Sequence, residues 1–151
     1  AHTLDQFTFW LGEAEVLSYK DDSYGGPEAD CLMTLELDNG AVGTIELSRS
    51  RNIGATAWIE TDEYEIFIEL TGTKATITPK PGVNGEGNTV SFKKQSYMSL
   101  IQDQLFNWCD GIIKGGSKYV SGLEAKQSIS IIEQCYKKKE KWLLPWVNYE
   151  N

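Results

Sequence analysis

Apolar and polar residues alternate along most of the first ninety positions, which is typical of half-buried β-strands. The segment 64–70 is an example, because Glu65, Phe67 and Glu69 alternate with Ile66, Ile68 and Leu70. The alternation predicts a meander of short strands at 14–19, 31–37, 41–48, 56–60, 64–70, 74–78 and 89–93. Turn-rich segments separate these strands, so we expect consecutive strands to run antiparallel.

The turn Asp38-Asn39-Gly40 joins two of the predicted strands and is a strong hairpin signal. Asn-Gly favours such turns because both residues tolerate positive φ at the turn centres. A second loop, 79–88, is rich in Pro and Gly. No helix signal follows its glycines, so an ordinary hairpin loop is favoured over a phosphate cradle.

Three segments change to helical spacing. A short helix is expected over 3–12, a longer one over 97–113, and a third behind Ser121. Ser121 and Glu124 form a capping box, with Ser121 as the N-cap. Each helix carries an apolar stripe. The stripes consist of Leu4, Phe7 and Leu11; of Ile101, Leu105, Trp108 and Ile112; and of Ala125, Ile129, Ile132 and Tyr136.

These elements predict the α+β fold class, with an open, mainly antiparallel β-sheet and helices packed on one face. The opposite face of the sheet has no covering layer within the chain. A large, half-apolar face of this kind needs a partner, and a second copy related by two-fold symmetry is the simplest one. We therefore expect a homo-dimer or tetramer formed through the sheet face.

Composition narrows the classes of function. The formal net charge of −8 disfavours nucleic-acid binding, and the basic run 137–141 is interpreted as a solvated helix end. Cys31, Cys109 and Cys135 are odd in number and widely spaced, which indicates reduced thiols and a cytoplasmic protein. With one histidine and no cysteine cluster, no metal site is expected. No apolar run reaches the length of a membrane span, so no membrane association is expected.

An ordered set of short motifs carries a family resemblance. The chain opens with His2, Asp5 and the run Trp10-Leu11-Gly12-Glu13. The later motifs are Asp38-Asn39-Gly40-Ala41-Val42-Gly43-Thr44-Ile45, Gly72-Thr73-Lys74-Ala75, Val120-Ser121-Gly122 and Leu143-Leu144-Pro145. Over essentially its whole length the chain thereby resembles the Gfo/Idh/MocA oxidoreductases, which include glucose-fructose oxidoreductase and inositol dehydrogenases. Ala75 departs from the resemblance, because the family often has a second glycine there.

The resemblance implies an α/β domain that follows a Rossmann domain. On this interpretation 1–151 is a single substrate-binding and oligomerisation domain, and the N-terminal Rossmann domain is absent from the chain. The family's junction pattern D-x-x-x-H-x-x-D would begin before Ala1, and the catalytic lysine and Gly-rich dinucleotide loop would also lie upstream. NAD or NADP would be bound in the full-length protein, mainly by the missing domain. We expect no cofactor in this fragment and no activity from it alone.

His2 is the candidate catalytic residue. It is the only histidine, and an imidazole suits general acid–base chemistry near neutral pH. Oxidation of a secondary alcohol needs a base for the hydroxyl proton, and the resemblance puts His2 in or beside that role. The alternative is a frayed terminal residue. Asp5 shares a helical face with His2; it either binds a substrate hydroxyl, orients His2, or only favours the helix dipole.

Arg49, Arg51 and Asn52 are the other candidate substrate-binding residues. They follow the strand that ends at Ser48, and in the resembled family this segment commonly faces the substrate. Guanidinium and amide groups there would hold hydroxyls, a carboxylate or a phosphate, whereas the alternative is a solvated loop. The resulting hypothesis is an NAD(P)-dependent oxidoreductase acting on a sugar or polyol secondary alcohol. The alternative is a non-catalytic ligand-binding or dimerisation module.

Overall fold

In the computed structural model of the chain, the residues described are 2–23, 26–115 and 122–144. The chain divides into two compact units. The first unit comprises Ala1–Ile53 and Tyr119–Asn151, and the second comprises Gly54–Lys118. Each unit contains a sheet and at least one helix of its own, and the two are described separately below.

Helices and strands follow the order that the sequence predicts, with one further strand near the C-terminal end. The helices are α1 (His2–Leu11), α2 (Tyr97–Lys114) and α3 (Gly122–Lys137). The strands are β1 (Ala14–Asp21), β2 (Asp30–Leu37), β3 (Val42–Ser48), β4 (Thr56–Glu60), β5 (Tyr64–Glu69), β6 (Lys74–Pro79), β7 (Asn88–Ser91) and β8 (Lys139–Lys141).

The first unit is built on a four-stranded sheet with the order β3-β2-β1-β8. β2 runs antiparallel to both β1 and β3, and the short β8 runs parallel to β1. Val16 and Leu35 are directly paired in the register and are both completely buried. Leu4 of α1 and Ile131 of α3 belong to the same core cluster. The inward apolar positions of the central strands are therefore covered by these two helices.

α1 lies close to the sheet because Gly43 of β3 has no side chain. A Cβ atom at position 43 would lie 2.6 Å from Cε2 of Phe7, which is far below van der Waals contact. The Phe7 ring thus occupies the space above the glycine backbone. This contact fixes the helix that carries His2 and Asp5 against the strand.

The second unit contains the antiparallel sheet β4-β5-β6-β7 and helix α2. On one sheet face the rings of Trp58 and Phe67 are 4.7 Å apart, among threonine and glutamate neighbours. The alternate positions form the other face. Its isoleucines are Ile59, Ile66, Ile68 and Ile77. Among the described residues of this unit only Gly111 is buried, so neither sheet face is fully closed within the chain.

α2 has clear boundaries. Ser96 caps its start, because the Ser99 backbone N–H donates to Ser96 Oγ at 3.1 Å. Gly115, with φ of 66°, ends it close to the predicted end at residue 113. The predicted apolar stripe is nevertheless mostly exposed, including Leu105 and Trp108. The helix therefore forms from its local sequence without burying its apolar face inside this chain.

The predicted fold class is confirmed. The chain is α+β with open, mainly antiparallel sheets, and α1 and α3 pack against one face of the first sheet. The difference from the sequence prediction is that the strands divide between two four-stranded sheets. The alternation identified each strand correctly, but alternation does not say which strands pair. β3 is the last strand of the meander in the first sheet, and β4 begins the second sheet.

The hairpin between β2 and β3 was placed correctly, and positive φ occurs at only one of its two turn centres. Gly40 has φ of +82°, whereas no non-glycine among the described residues has positive φ, so Asn39 does not. The Gly40 backbone N–H donates to Leu37 O, and the Leu37 N–H donates to Ala41 O, each at 2.8 Å. This is a three-residue loop with the glycine in a bulge position, which needs positive φ at one residue only.

The apolar stripe identified on α3 is not the buried face of the helix. Ile129 and Tyr136 are half exposed, and the buried residues of the helix are Ser128, Ile131 and Cys135. Ser128 disguised this face, because a serine does not count as apolar in a periodicity argument. Ser121, the predicted N-cap, lies outside the described residues.

The basic run 137–141 is not simply a solvated helix end. Lys139–Lys141 forms β8 and pairs in parallel with Tyr19, Lys20 and Asp21 of β1. The Lys138 ammonium donates to Val16 O, and Lys139 forms an ion pair with Asp21 at 3.0 Å. The sequence pattern did not predict this strand, because all three of its side chains are charged. The strand is held in the sheet by its backbone pairing with β1.

Candidate functional site

The first candidate group lies at the start of α1. His2 is the first residue of the helix and is exposed. Asp5 lies almost one turn further on, and its Oδ1 accepts a short hydrogen bond from the hydroxyl of Ser128 on α3. Ser128 is itself buried, so this bond ties the two helices together. Asp5 therefore has a structural partner that sequence reasoning did not foresee.

The second candidate group is the loop that follows β3. The Arg49 backbone N–H donates to Ala29 O at 2.8 Å, and the Arg51 N–H donates to Ser48 Oγ at 2.8 Å. These bonds fix the loop backbone immediately beyond the strand. The side chains of Arg49 and Asn52 are exposed, whereas Arg51 is partly buried.

Arg51 is held by a set of side chains. Its Nε donates to Oδ1 of Asp30 at 3.0 Å, and its Nη2 lies 3.0 Å from the same oxygen. Nη2 also donates to Oε1 of Glu46 at 2.7 Å. On another side, the guanidinium carbon lies 5.5 Å from the ring centre of Trp142, within the range of a cation–π contact. The guanidinium of Arg51 thus contacts Asp30, Glu46 and Trp142, whereas Arg49 and Asn52 are exposed.

Asp30 is the buried centre of this arrangement, and its side chain has no exposed surface. Its Oδ2 accepts a short hydrogen bond from the hydroxyl of Ser50. Burial opposes ionisation of Asp30. The hydroxyls of Ser48 and Ser50 and the Arg51 guanidinium outweigh that effect and hold the pKa of the carboxyl below its usual range. The carboxyl group of Asp30 is therefore ionised at neutral pH. It contacts the loop that carries the candidate substrate-binding residues.

Sequence reasoning missed Asp30, although a signal for it existed. Counting outward from the Asp38-Asn39-Gly40 turn places Asp30 opposite Ser48 in the register, and the structure has that pairing. A carboxylate at the start of one strand therefore faces the end of the next, three residues before Arg51, which has the opposite charge.

A second buried carboxylate, Asp21, lies at the end of β1. Its Oδ1 accepts from the Ser23 backbone N–H at 3.0 Å and from the Ser23 hydroxyl at 2.8 Å. Burial opposes its ionisation, but these bonds and Lys139 keep the pKa of Asp21 below its usual range. Among the described residues, no hydrogen-bond partner is found for its Oδ2. This group anchors β8 and stands apart from the candidate residues.

Two surface depressions flank α3 and the start of β1. Glu13, Gln127 and Ser130 line both of them, and neither includes His2, Asp5, Arg49, Arg51 or Asn52. The structure therefore places the candidate residues in the first unit without enclosing them in either depression. Within the ranges described, no group of three His, Cys, Asp or Glu side chains lies close enough to hold a metal ion.

The glycine-rich loop 82–87 is the segment most similar to a dinucleotide-binding loop. This loop joins β6 to its antiparallel neighbour β7, as predicted for a hairpin. It leads into a strand rather than a helix, so it offers no helix N-terminus to a pyrophosphate. In the part of the chain that is described, no helix is long and apolar enough to cross a membrane.

The sequence of the chain matches the model of a known protein family. The model of the oxidoreductase family's C-terminal alpha/beta domain, that of the Gfo/Idh/MocA proteins, matches residues 1–143. The chain belongs to this oxidoreductase family, and the resemblance seen in its motifs is confirmed. No curated protein matches the chain in sequence.

Solved structures share the fold. Levoglucosan dehydrogenase in complex with NADH and levoglucosan superposes with a TM-score of 0.72 at 17% identity, over 91% of this chain and 46% of that one. An NAD binding oxidoreductase from Klebsiella pneumoniae gives 0.68 at 14%, over 89% and 46%. The WlbA dehydrogenase from Bordetella pertussis, with NADH and UDP-GlcNAcA, gives 0.56 at 14%, over 91% and 40%. The chain spans less than half the length of these proteins.

Proposed function

We propose that the chain is the C-terminal, substrate-side and oligomerisation domain of an NAD(P)-dependent dehydrogenase acting on a sugar or polyol secondary alcohol. The observation that carries the proposal is the exposed imidazole of His2 at the first residue of α1, in a chain that belongs to an oxidoreductase family. Two structural neighbours hold NADH together with a sugar or sugar derivative, which supports this substrate class. On this proposal the protein works in the cytoplasm.

In the proposed reaction His2 is the general base. The nicotinamide, which a Rossmann domain of the full-length protein would hold, supplies hydride acceptance when it is bound. His2 Nδ1 or Nε2 takes the hydroxyl proton of the substrate as the carbinol carbon is oxidised. An imidazole suits this step because its ordinary pKa lies close to neutral pH. Exposure leaves the ring accessible to a substrate, and α1 is fixed by Phe7 and Asp5.

The substrate contacts proposed are Asp5, Arg49, Arg51 and Asn52. Arg49 and Asn52 are exposed on a loop with a fixed backbone, so they are the most direct candidates for binding hydroxyl groups. Asp5 is exposed as a residue even though one oxygen bonds to Ser128, and we propose that it orients substrate or His2. The proposed contact of Arg51 with the substrate would be made in addition to its hydrogen bonds to Asp30 and Glu46.

The test uses the full-length protein with NAD⁺ and with NADP⁺, assayed against levoglucosan, D-glucose and myo-inositol. The expected result is reduction of one cofactor with at least one of these polyols. His2→Ala should then lower kcat by roughly two to four orders of magnitude, with a modest change in cofactor affinity. A kcat near that of the unaltered enzyme would reassign His2 to a structural role. The isolated chain should neither bind NADH nor turn over substrate, and micromolar binding would refute that part.

The alternative, a non-catalytic dimerisation module, has one observation in its favour. Trp58 is 70% exposed beside Phe67 on the second sheet, which is unusual for a large aromatic side chain without a partner. We propose that this face pairs with a second copy to form a homo-dimer or tetramer. Ile45, in contrast, is buried in the first unit and is not available for such pairing. The two proposals are compatible, and only loss of turnover in the full-length enzyme separates catalysis from pure assembly.

A further inference from the structure

The segment 48–52 contains three exposed residues, Arg49, Ser50 and Asn52, and it is bound by a buried carboxylate. The central group is Asp30, with no exposed side-chain surface. It binds the loop at two points, through the Ser50 hydroxyl and through Nε and Nη2 of Arg51. Arg49 lies between these points and the strand, and Asn52 directly follows Arg51. The two residues that bond to Asp30, Ser50 and Arg51, therefore stand between Arg49 and Asn52 in the sequence.

We infer that Asp30 and Arg51 form an internal clamp that positions Arg49 and Asn52 for substrate, so that Asp30 is a positioning residue that sets substrate affinity. The inference rests on the proposed function of the loop after β3. It assigns the Arg51 guanidinium mainly to holding the loop, and leaves the recognition of substrate hydroxyls to Arg49 and Asn52.

The geometry of Arg51 suits a clamp better than a mobile ligand. Its planar guanidinium meets two carboxylates and an aromatic ring, an arrangement that a lysine could not reproduce. Trp142 follows β8, and its backbone N–H donates to Asp21 O at 2.7 Å. The ring over Arg51 is thereby tied to the end of β1, so the clamp draws on three strands.

The base of the clamp is also fixed. Oδ1 of Asp22 accepts from the backbone N–H groups of Ala29 and Asp30, both at 2.9 Å. Asp30 therefore cannot follow the loop if the loop moves. A displacement of about 1 Å in a binding group can cost up to a hundredfold in rate or affinity, so a clamp of this kind has a measurable effect.

The test compares Asp30→Asn with Arg49→Ala and with the double variant in the full-length enzyme, using the sugar of the panel above that is turned over fastest. Asp30→Asn keeps the shape of the side chain but removes the charge that Arg51 needs. We expect KM to rise roughly tenfold to a hundredfold, with kcat and cofactor affinity nearly unchanged. If Asp30 acts through Arg49 and Asn52, the rise in KM of the double variant should be smaller than the product of the rises in the two single variants.

Hydrogen exchange gives a readout that does not depend on activity. The amides of residues 49–52 should exchange faster in Asp30→Asn, because the loop loses its anchor. Glu60→Gln is the matched control, since it also converts a carboxylate to an amide and removes a 2.6 Å ion pair, with Lys80, in the second unit. It should alter neither KM nor exchange at 49–52. If Asp30→Asn does not fold, Arg51→Lys replaces it, because lysine keeps the charge without the planar fork.

The outcomes separate the two proposals. Unchanged exchange at 49–52 in a folded Asp30→Asn protein overturns the clamp directly. A rise in KM for Arg49→Ala without one for Asp30→Asn also overturns it, as do strictly additive effects in the double variant. A purely structural role would lower the active fraction, reducing apparent kcat at constant KM, and would likewise refute the inference. If neither Arg49→Ala nor Asn52→Ala changes KM, the substrate role of the loop itself fails.

Discussion

Eleven apolar side chains are buried among the described residues, and every one of them belongs to the first unit. In the described part of the second unit Gly111 alone is buried. The two units nevertheless have similar sheets of four strands each. The difference lies in what covers the sheet: α1 and α3 close one face in the first unit, whereas α2 keeps its apolar side chains exposed in the chain.

This contrast separates a unit with a buried core from a unit whose apolar side chains are largely exposed. The first unit buries charged groups as well as apolar ones, including Asp21 and Asp30, and buried charges persist only where their partners are fixed. Such a unit can hold functional side chains in place. The second unit presents exposed aromatic and aliphatic groups, which in soluble proteins mark surfaces for a partner.

The largest difference is expected in stability. Leu35→Ala removes a completely buried side chain at the centre of the first sheet, so we expect a loss of about 2–5 kcal/mol in the free energy of unfolding. Leu105→Ala is the matched substitution in the second unit, where the side chain is 57% exposed, and should cost less than about 1 kcal/mol. Urea unfolding of the chain measures both. Equal losses would mean that the second unit has a core of its own.

Thiol chemistry should follow the same division. Burial raises the pKa of Cys135 to about 11, and burial also raises the pKa of Cys31. The thiolate fraction of Cys135 at pH 8 is then lower than that of an ordinary cysteine by roughly a hundredfold. Cys109 is exposed on α2 and should react first with a disulfide reagent. Mass mapping after short labelling identifies the modified residue, and early modification of Cys31 or Cys135 would contradict the buried core.

Association should depend on the second unit. Trp58→Glu places a charge on the proposed pairing face and should weaken self-association of the full-length protein at least about tenfold, since an unpaired charge is costly in an interface. Val42→Glu is the control, because Val42 is 59% exposed on a strand of the first unit. Sedimentation across a dilution series compares the two. Equal masses for both variants would exclude the Trp58 face from the interface.

The smallest effect concerns pH. The pKa of Asp30 is lower in the folded protein than its ordinary value of 3.8, since its hydrogen bonds outweigh burial. The charged form therefore stabilises the fold above about pH 4, and this contribution is lost as pH falls through the lowered pKa. Asp30→Asn should flatten the stability profile below pH 4 and reduce stability at pH 7. An unchanged acid limb in thermal melts of this variant would show that Asp30 does not contribute.

The sequence predicted the elements better than their partners. Alternation located the strands of both sheets, because a period of two is a property of neighbouring residues. It could not reveal β8, whose Lys-Glu-Lys side chains carry no apolar signal and whose role is to extend the backbone ladder. For the same reason Ser128 was overlooked on the inner face of α3.

The candidate site divides in a similar way. His2, Asp5 and the loop after β3 could be named from motif order alone, and their functions stay predictions. Asp30 and its contact with Arg51 depend on the register of two strands and on burial, and neither is visible in a list of residue types. The turn Asp38-Asn39-Gly40 fixed that register, so the contact was within reach of a pairwise reading of the hairpin.

Gly43 links the sheet to the helix that begins at His2. Even a methyl group at this position would press on Phe7, which lies little more than one helical turn from His2. A larger residue at position 43 would therefore force the Phe7 ring to move, whereas most strand positions accept small and branched residues alike. If the proposed role of His2 holds, laboratory selection for a different polyol would find a lever at position 43, where a substitution in the scaffold changes how α1 is seated without altering any proposed substrate contact.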